Sequence, residues 1–187
     1  MSEISQRYRK VAATFKERAA AVPDDAWDNA APCDGWVARD VVRHLVEWMP
    51  GFISARASLT FPAGPSVDDQ PVQAWSIVSD TIQAALDDPK IARREYDAPE
   101  GRSTLEQDVD GYFIGDILLH TWDLARATGQ DERLDADEVH RHLEAMAPYD
   151  DAMRKSGHYG PRVEVPADAD EQTRLIAFVG REPNPTG

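Results

Sequence analysis

A single cysteine, Cys33, is all that 187 residues contain. No internal disulfide can form, and no cysteine-rich zinc module fits. Long apolar runs are missing too: none approaches the roughly 20 residues of a membrane-spanning helix, so no membrane partner is expected. The N-terminus, Met1-Ser2-Glu3-Ile4-Ser5, has no basic stretch leading into an apolar one. No signal peptide is therefore expected, and the cytoplasm is the expected compartment. Positive charge is also scarce, with 20 Lys plus Arg against 34 Asp plus Glu and a net charge of −14. Nucleic-acid binders carry a basic footprint, so no nucleic-acid partner is expected. The acidity reads as solubility, and a small molecule is the expected partner. No repeat or low-complexity tract appears.

What the sequence does contain is helical periodicity. The length suits one domain over 1–187 with a sizeable core, its last residues 181–187 frayed. In a first helix over 2–21, Ile4, Tyr8, Val11, Ala12, Phe15 and Ala19 recur at three and four. A loop over 27–36 holds Pro32, Cys33, Asp34 and Gly35, and Cys33 reads as a small packed residue. A second helix over 37–58 has a broad apolar side, with His44 at its edge and Pro50 expected to kink or break it. Taken singly, His44 reads as a satisfied boundary histidine. Asp68 or Asp69 is expected to cap a third helix that has Pro71 in its first turn. A small extended segment near 94–97 and a turn at Pro99-Glu100-Gly101 follow. After the central stretch, Asp135 caps a helix running to about 155, which Pro148 interrupts. His140 and His142 on it point to different sides, a poor chelating geometry. An irregular stretch over 157–167 is expected to pass the bundle through His158, Tyr159 and Pro161. A short last helix covers 170–180.

The most informative stretch runs from Gly111 to Gly129 in a helix that Thr104 caps, with Gln107 at the third position. Its apolar face begins with Leu105, Val109, Tyr112 and Phe113. At about 100° per residue, Asp116, His120 and Asp123 fall inside that stripe. A carboxylate and an imidazole on the core side need partners, because burying them alone is costly. Asp116 and His120 rise from adjacent turns, so one metal ion can take both, or the pair can simply brace the core. Spacing alone favours the brace. On the far side, Ile114, Leu118 and Trp122 make the helix apolar nearly all round. That suits a central helix, or half of a homodimer interface; monomer and homodimer both remain open.

Three segments resemble one family. Pro32 to Leu45, reading PCDGWVARDVVRHL, resembles the start of the second helix in DinB-like proteins, closest to the branch named for mycothiol-dependent maleylpyruvate isomerase. His120 to Gly129, HTWDLARATG, resembles that branch's most recognisable segment. Val163 to Asp170, followed by Leu175 and Gly180-Arg181-Glu182-Pro183, resembles the ending of its short single-domain members. The resemblance implies an all-α fold, a DinB-like four-helix bundle with additional short C-terminal helices. It implies a divalent metal held by His44, Asp116 and His120. Asp123, one turn from His120, either supports it or, more plainly, pairs with Arg126. Two imidazoles and a carboxylate suit Zn²⁺, with Ni²⁺ or Fe²⁺ also compatible. Three protein ligands leave positions open, as in catalytic sites.

The resemblance further implies a low-molecular-weight thiol, mycothiol or a relative, whose pKa a metal would depress. Thiol addition to an electrophilic double bond gives transfer; addition, rotation and elimination give isomerisation. The maleylpyruvate isomerases carry a further C-terminal domain, for which this chain is too short. Thiol transfer, or another metal-dependent reaction, is therefore expected over isomerisation of maleylpyruvate itself. No basic cluster is dedicated to a dicarboxylate; Arg39, Arg43 and Arg126 are the available anion partners. Two further readings stand beside this one. The chain is a non-catalytic metal- or small-ligand-binding bundle, or it is a structural dimer whose Asp116–His120 pair is a core hydrogen bond.

Overall fold

The structure, a computed structural model, describes residues 1–99, 101–156 and 159–184, without the side chains of 152, 153 and 156. The expected turn residue Glu100, the expected bundle contact His158 and the tail 185–187 lie outside the described residues.

Four long helices form a bundle: α1 (Glu3–Ala20), α2 (Ala38–Ala57), α3 (Pro71–Asp87) and α6 (Ile114–Thr128). α1 packs on α3 and α6, and α2 packs on the same two, so the four close a ring around one core. The reason is patterning. Tyr8, Phe15, Leu45, Met49, Ile53, Trp75, Ile82 and Ile117 recur at helical spacing and are fully buried. Phe15 meets Trp75 edge to face, with ring centroids 4.9 Å apart. Among the described residues no helix is long and apolar enough to cross a membrane.

Helix ends follow the capping chemistry in most places. Ser5 N–H donates to Ser2 Oγ at α1, Gln107 N–H to Thr104 Oγ1, and Glu138 N–H to Asp135 Oδ1. The third helix differs from expectation. Gln70, not Asp68 or Asp69, is its cap residue, with no side-chain cap bond. Asp68 is drawn away by Arg43, 2.7 Å distant, and Pro71 starts the helix with its φ already set. Pro50 likewise does not break α2, which is continuous from Ala38 to Ala57. Pro50 removes one backbone bond, but Leu45, Met49 and Ile53 anchor the helix on both sides of it.

A short helix α4 (Pro89–Ala92) and a two-stranded antiparallel ribbon, β1 (Tyr96–Ala98) with β2 (Gly101–Ser103), link α3 to the central helix. That helix is not uniform. One turn, α5 (Leu105–Asp108), leads into a wider π turn over Val109–Phe113 before α6 begins. The wheel that places Tyr112 on the apolar face fails here: Tyr112 is 43% exposed. A π turn bonds i to i+5, so residues on either side no longer share one phase of 100°.

Past α6, α7 (Ala136–Met146) and α8 (Asp150–Ser156) flank a 3₁₀ turn containing Pro148, the expected interruption. With α9 (Glu171–Phe178), α7 builds a second apolar cluster. Leu118, Leu119 and Trp122 of α6 enter it beside Val139, Leu143, Leu175 and Ile176. The all-round apolar character of α6 is thereby explained, since it has the bundle on one side and α7 with α9 on the other.

Candidate metal centre

Two helices and one loop meet on the polar side of α6. α2 carries His44 and Trp48 one turn apart, and α6 carries Asp116, His120 and Asp123 on successive turns. The loop before α2 carries Cys33 and Trp36. An antiparallel bridge between Ala30 and Val37 closes that loop. Asp40 then accepts the Val37 N–H at 3.1 Å, fixing the start of α2.

The expected residues converge. His44 Nε2 lies 3.3 Å from Asp116 Oδ2, and His120 Nε2 lies 3.4 Å from Asp116 Oδ1. One ligand atom from each of His44, Asp116 and His120 falls within 4.8 Å of the other two. Asp116 has one further donor, Trp48 Nε1 at 2.8 Å from Oδ2. The two imidazoles stand edge to face with centroids 4.8 Å apart, and the Trp36 indole stacks on His120 at 5.8 Å. His120 is buried, whereas the His44 and Asp116 side chains are 31% and 23% exposed. The site therefore opens towards solvent on the His44–Asp116 side.

The back of the site is a relay of charge. His120 Nδ1 lies 2.8 Å from Asp123 Oδ2, and an ionised carboxylate only accepts, so Nδ1 carries the hydrogen. That leaves Nε2 as the nitrogen facing Asp116 and His44. Asp123 is fully buried, and Arg181 closes on both its oxygens, Nε to Oδ1 at 2.6 Å and Nη2 to Oδ2 at 2.7 Å. Burial works against the Asp116 charge, but the His120 and His44 imidazoles outweigh it and hold the carboxyl well below its usual range. Burial opposes the His120 cation too, and Asp116 with Asp123 outweighs it, so that imidazole is raised well above its ordinary value. Asp123 is lowered, burial being overcome by Arg181 and then His120.

A second trio also lies within 4.8 Å: Cys33, His120 and Asp123. Arg181 decides against it as a cation site. Its Nη2 is 3.3 Å from Cys33 Sγ and already occupies Asp123. Two unit positive charges 4 Å apart repel by about 4 kcal/mol at an effective dielectric near 20, and a divalent ion roughly doubles that. The His44–Asp116–His120 trio has no such fixed cation in its ligand set. Cys33, read from sequence as a packed residue, is half-buried and touches this relay, with Sγ 3.5 Å from Asp123 Oδ2.

Two expectations about the relay are corrected. Asp123 does not pair with Arg126; that guanidinium lies over the Trp122 ring at 4.5 Å and grips Glu132. The tail is not frayed at Arg181. After α9, Gly180 takes φ +84 and packs so tightly that a Cβ there would lie 3.0 Å from Gly160 backbone atoms. This turn sends Arg181 back to Asp123. The sequence marks Gly180-Arg181-Glu182-Pro183 only by its resemblance and not Arg181 as a site residue, because no local spacing links it to Asp123, 58 residues earlier.

The family described as mycothiol maleylpyruvate isomerase N-terminal domain matches residues 8–110. That span includes His44 and ends before Asp116 and His120. Uncharacterized protein Rv0738 of Mycobacterium tuberculosis strain H37Rv is 30% identical over 89% of this chain and 91% of its own length. Uncharacterized protein MT0763 of strain CDC 1551 is similar to the same extent, 30% identical over the same shares. No solved structure matches significantly.

Proposed function

Because the chain belongs to the mycothiol maleylpyruvate isomerase N-terminal domain family, we propose that it is a divalent-metal enzyme using mycothiol or a related small thiol. Its reaction is transfer to, or isomerisation of, a small electrophilic substrate. The observation that carries this reading is the convergence of His44, Asp116 and His120 within 4.8 Å, with the rear nitrogen of His120 held by Asp123. A buried carboxylate behind a histidine is the arrangement that orients a metal ligand and raises its basicity. Two imidazoles and a carboxylate suit Zn²⁺, with Ni²⁺ or Fe²⁺ as alternatives. When bound, such an ion supplies a depressed thiol pKa, and so a thiolate at neutral pH.

The chain's own residues supply the rest. His44 and Asp116 leave one side of the site open, which suits entry of a thiol and a substrate. Trp36 and Trp48, both half-buried, flank that side, with ring centroids 5.2 and 5.9 Å from His44. The arginines available for a dicarboxylate are already engaged. Arg39 donates to the Asp68 carbonyl, Arg43 pairs with Asp68, and Arg126 pairs with Glu132. A substrate recognised by a conjugated or apolar body fits this surround better than a doubly charged one.

The test is metal analysis of protein purified without a histidine tag, with thermal melting of wild type and His120→Ala, each with and without chelator. Wild type is expected to hold a divalent ion and lose it to chelator. At metal 100 times Kd the linkage is about 2.7 kcal/mol, or roughly 5–10 °C for a chain of this size. His120→Ala is expected to bind no metal and remain helical. Asp116 keeps Trp48 and His44 as partners there, and Asp123 keeps Arg181. A wild type that holds no metal and ignores chelator, with His120→Ala melting far lower, would instead make the cluster a core brace.

A further inference from the structure

We propose that Arg181 is a positioning residue for the His44–Asp116–His120 site, acting through Asp123. The inference rests on reading that trio as a metal site. Its basis is the geometry of one carboxylate. Asp123 is fully buried on α6, and both its oxygens are fixed by the two-pronged contact from Arg181 at 2.6 and 2.7 Å. The same carboxylate receives the His120 Nδ1–H at 2.8 Å. A forked guanidinium sets the plane of a carboxylate, which a single ammonium does not. The plane of Asp123 in turn sets the rotation of the His120 ring about its own axis, and thereby the direction in which Nε2 points. Among the described residues Arg181 makes no hydrogen bond to His44 or Asp116; its contacts are with Asp123 and Cys33, and only its charge reaches Asp116 directly.

A plainer alternative is that Arg181 merely pins the tail to the bundle. Tail attachment has another source, because Arg126 donates to the carbonyls of Glu182 and Pro183 at 3.3 and 2.8 Å. A pin changes how much protein is folded. A positioning residue changes the affinity of the folded protein for the ion. The two differ also in additivity: an effect transmitted through Asp123 disappears once Asp123 can no longer transmit it.

The experiment is Zn²⁺ affinity, by competition with a chromophoric chelator, on the full chain well below its melting temperature, with circular dichroism as the check of fold. The proteins are wild type, Arg181→Met, Arg181→Lys, Asp123→Asn and the Arg181→Met/Asp123→Asn double variant. Arg181→Met is expected to bind 10–100-fold more weakly, the usual loss when support behind a metal-bound histidine is removed. Arg181→Lys, which keeps the charge but not the fork, is expected to fall between Arg181→Met and wild type. The double variant is expected to match Asp123→Asn. Arg181→Met binding as wild type does, or a double variant weaker than Asp123→Asn by the full Arg181→Met factor, overturns the inference and leaves the metal site standing. Wild type binding no Zn²⁺ removes the site reading and the inference with it. If Arg181→Met does not fold, Arg181→Lys decides: wild-type affinity there overturns the proposal.

Discussion

His142 shows how much a single side chain in this fold depends on pH. Its ring lies over the Gly115 backbone and its Nε2 is buried with no hydrogen-bond partner among the described residues. Burial pushes its pKa down to about 4, only partly offset by the Asp116 and Glu138 charges. The unfolded chain protonates it near the ordinary value of about 6.5. Its contribution to stability is therefore complete above that value and lost as pH falls towards about 4, a difference of about 3 kcal/mol. Urea unfolding at pH 7 and near pH 4.5 is expected to show wild type losing more stability than His142→Leu; equal losses would place the acid sensitivity elsewhere. His120 has the opposite sign. Raised in the folded state, it contributes fully below about 6.5 and fades as pH rises through its folded value. At this scale, His44, Asp116 and His120 were legible from a spacing and a resemblance. Asp123 was legible as a partner of His120, but its second partner was not, because one-turn spacing names Arg126 and tertiary structure supplies Arg181.

At the scale of elements, α6 is the piece that both halves of the fold share. Its Gly115 sits where α7 crosses, and a Cβ there would lie 2.0 Å from His142 Cε1. That gap is too small to be relieved without moving the ring. Gly115→Ala is expected to destabilise by about 1–3 kcal/mol, the usual cost of overpacking. His142→Ala/Gly115→Ala is expected to recover much of the Gly115→Ala loss, and a denaturant double-mutant cycle measures it. Additive losses would show that the two side chains do not meet. The helices themselves were largely legible, since apolar periodicity and capping residues are local properties. The π turn over Val109–Phe113 was not, because nothing in a 100° wheel marks where one residue is inserted. Asp116, His120 and Asp123 still share a face because all three lie beyond the turn, within regular α-helix.

At the scale of the molecule, the question raised by the apolar helix is who covers it. Ile114 and Trp122 are each 2% exposed within one chain, Ile114 in the core of the four-helix bundle and Trp122 in the cluster that α6 shares with α7 and α9. A second copy is not needed to bury them. We therefore expect sedimentation equilibrium to give the 20.8 kDa of a monomer at micromolar concentration. A mass twice that would place an interface on another face. The net charge of −14 favours the same outcome by self-repulsion, and this preference should weaken with salt. The second apolar cluster, formed by α6, α7 and α9, was only partly legible. Its short helices could be read one by one, but their shared contact with α6 rests on contacts distant in sequence.

The placement of Arg181 sets an order of events at birth. A ribosome delivers His120 and Asp123 well before the arginine that clamps Asp123, 58 residues after it. At roughly 5–20 residues per second the interval is roughly 3–12 s. During that time the four long helices are already synthesised, yet the imidazole on α6 lacks its final restraint. The nascent chain thus has the His44–Asp116–His120 cluster before it has the means to aim its buried imidazole, which waits for the turn after α9 to be made.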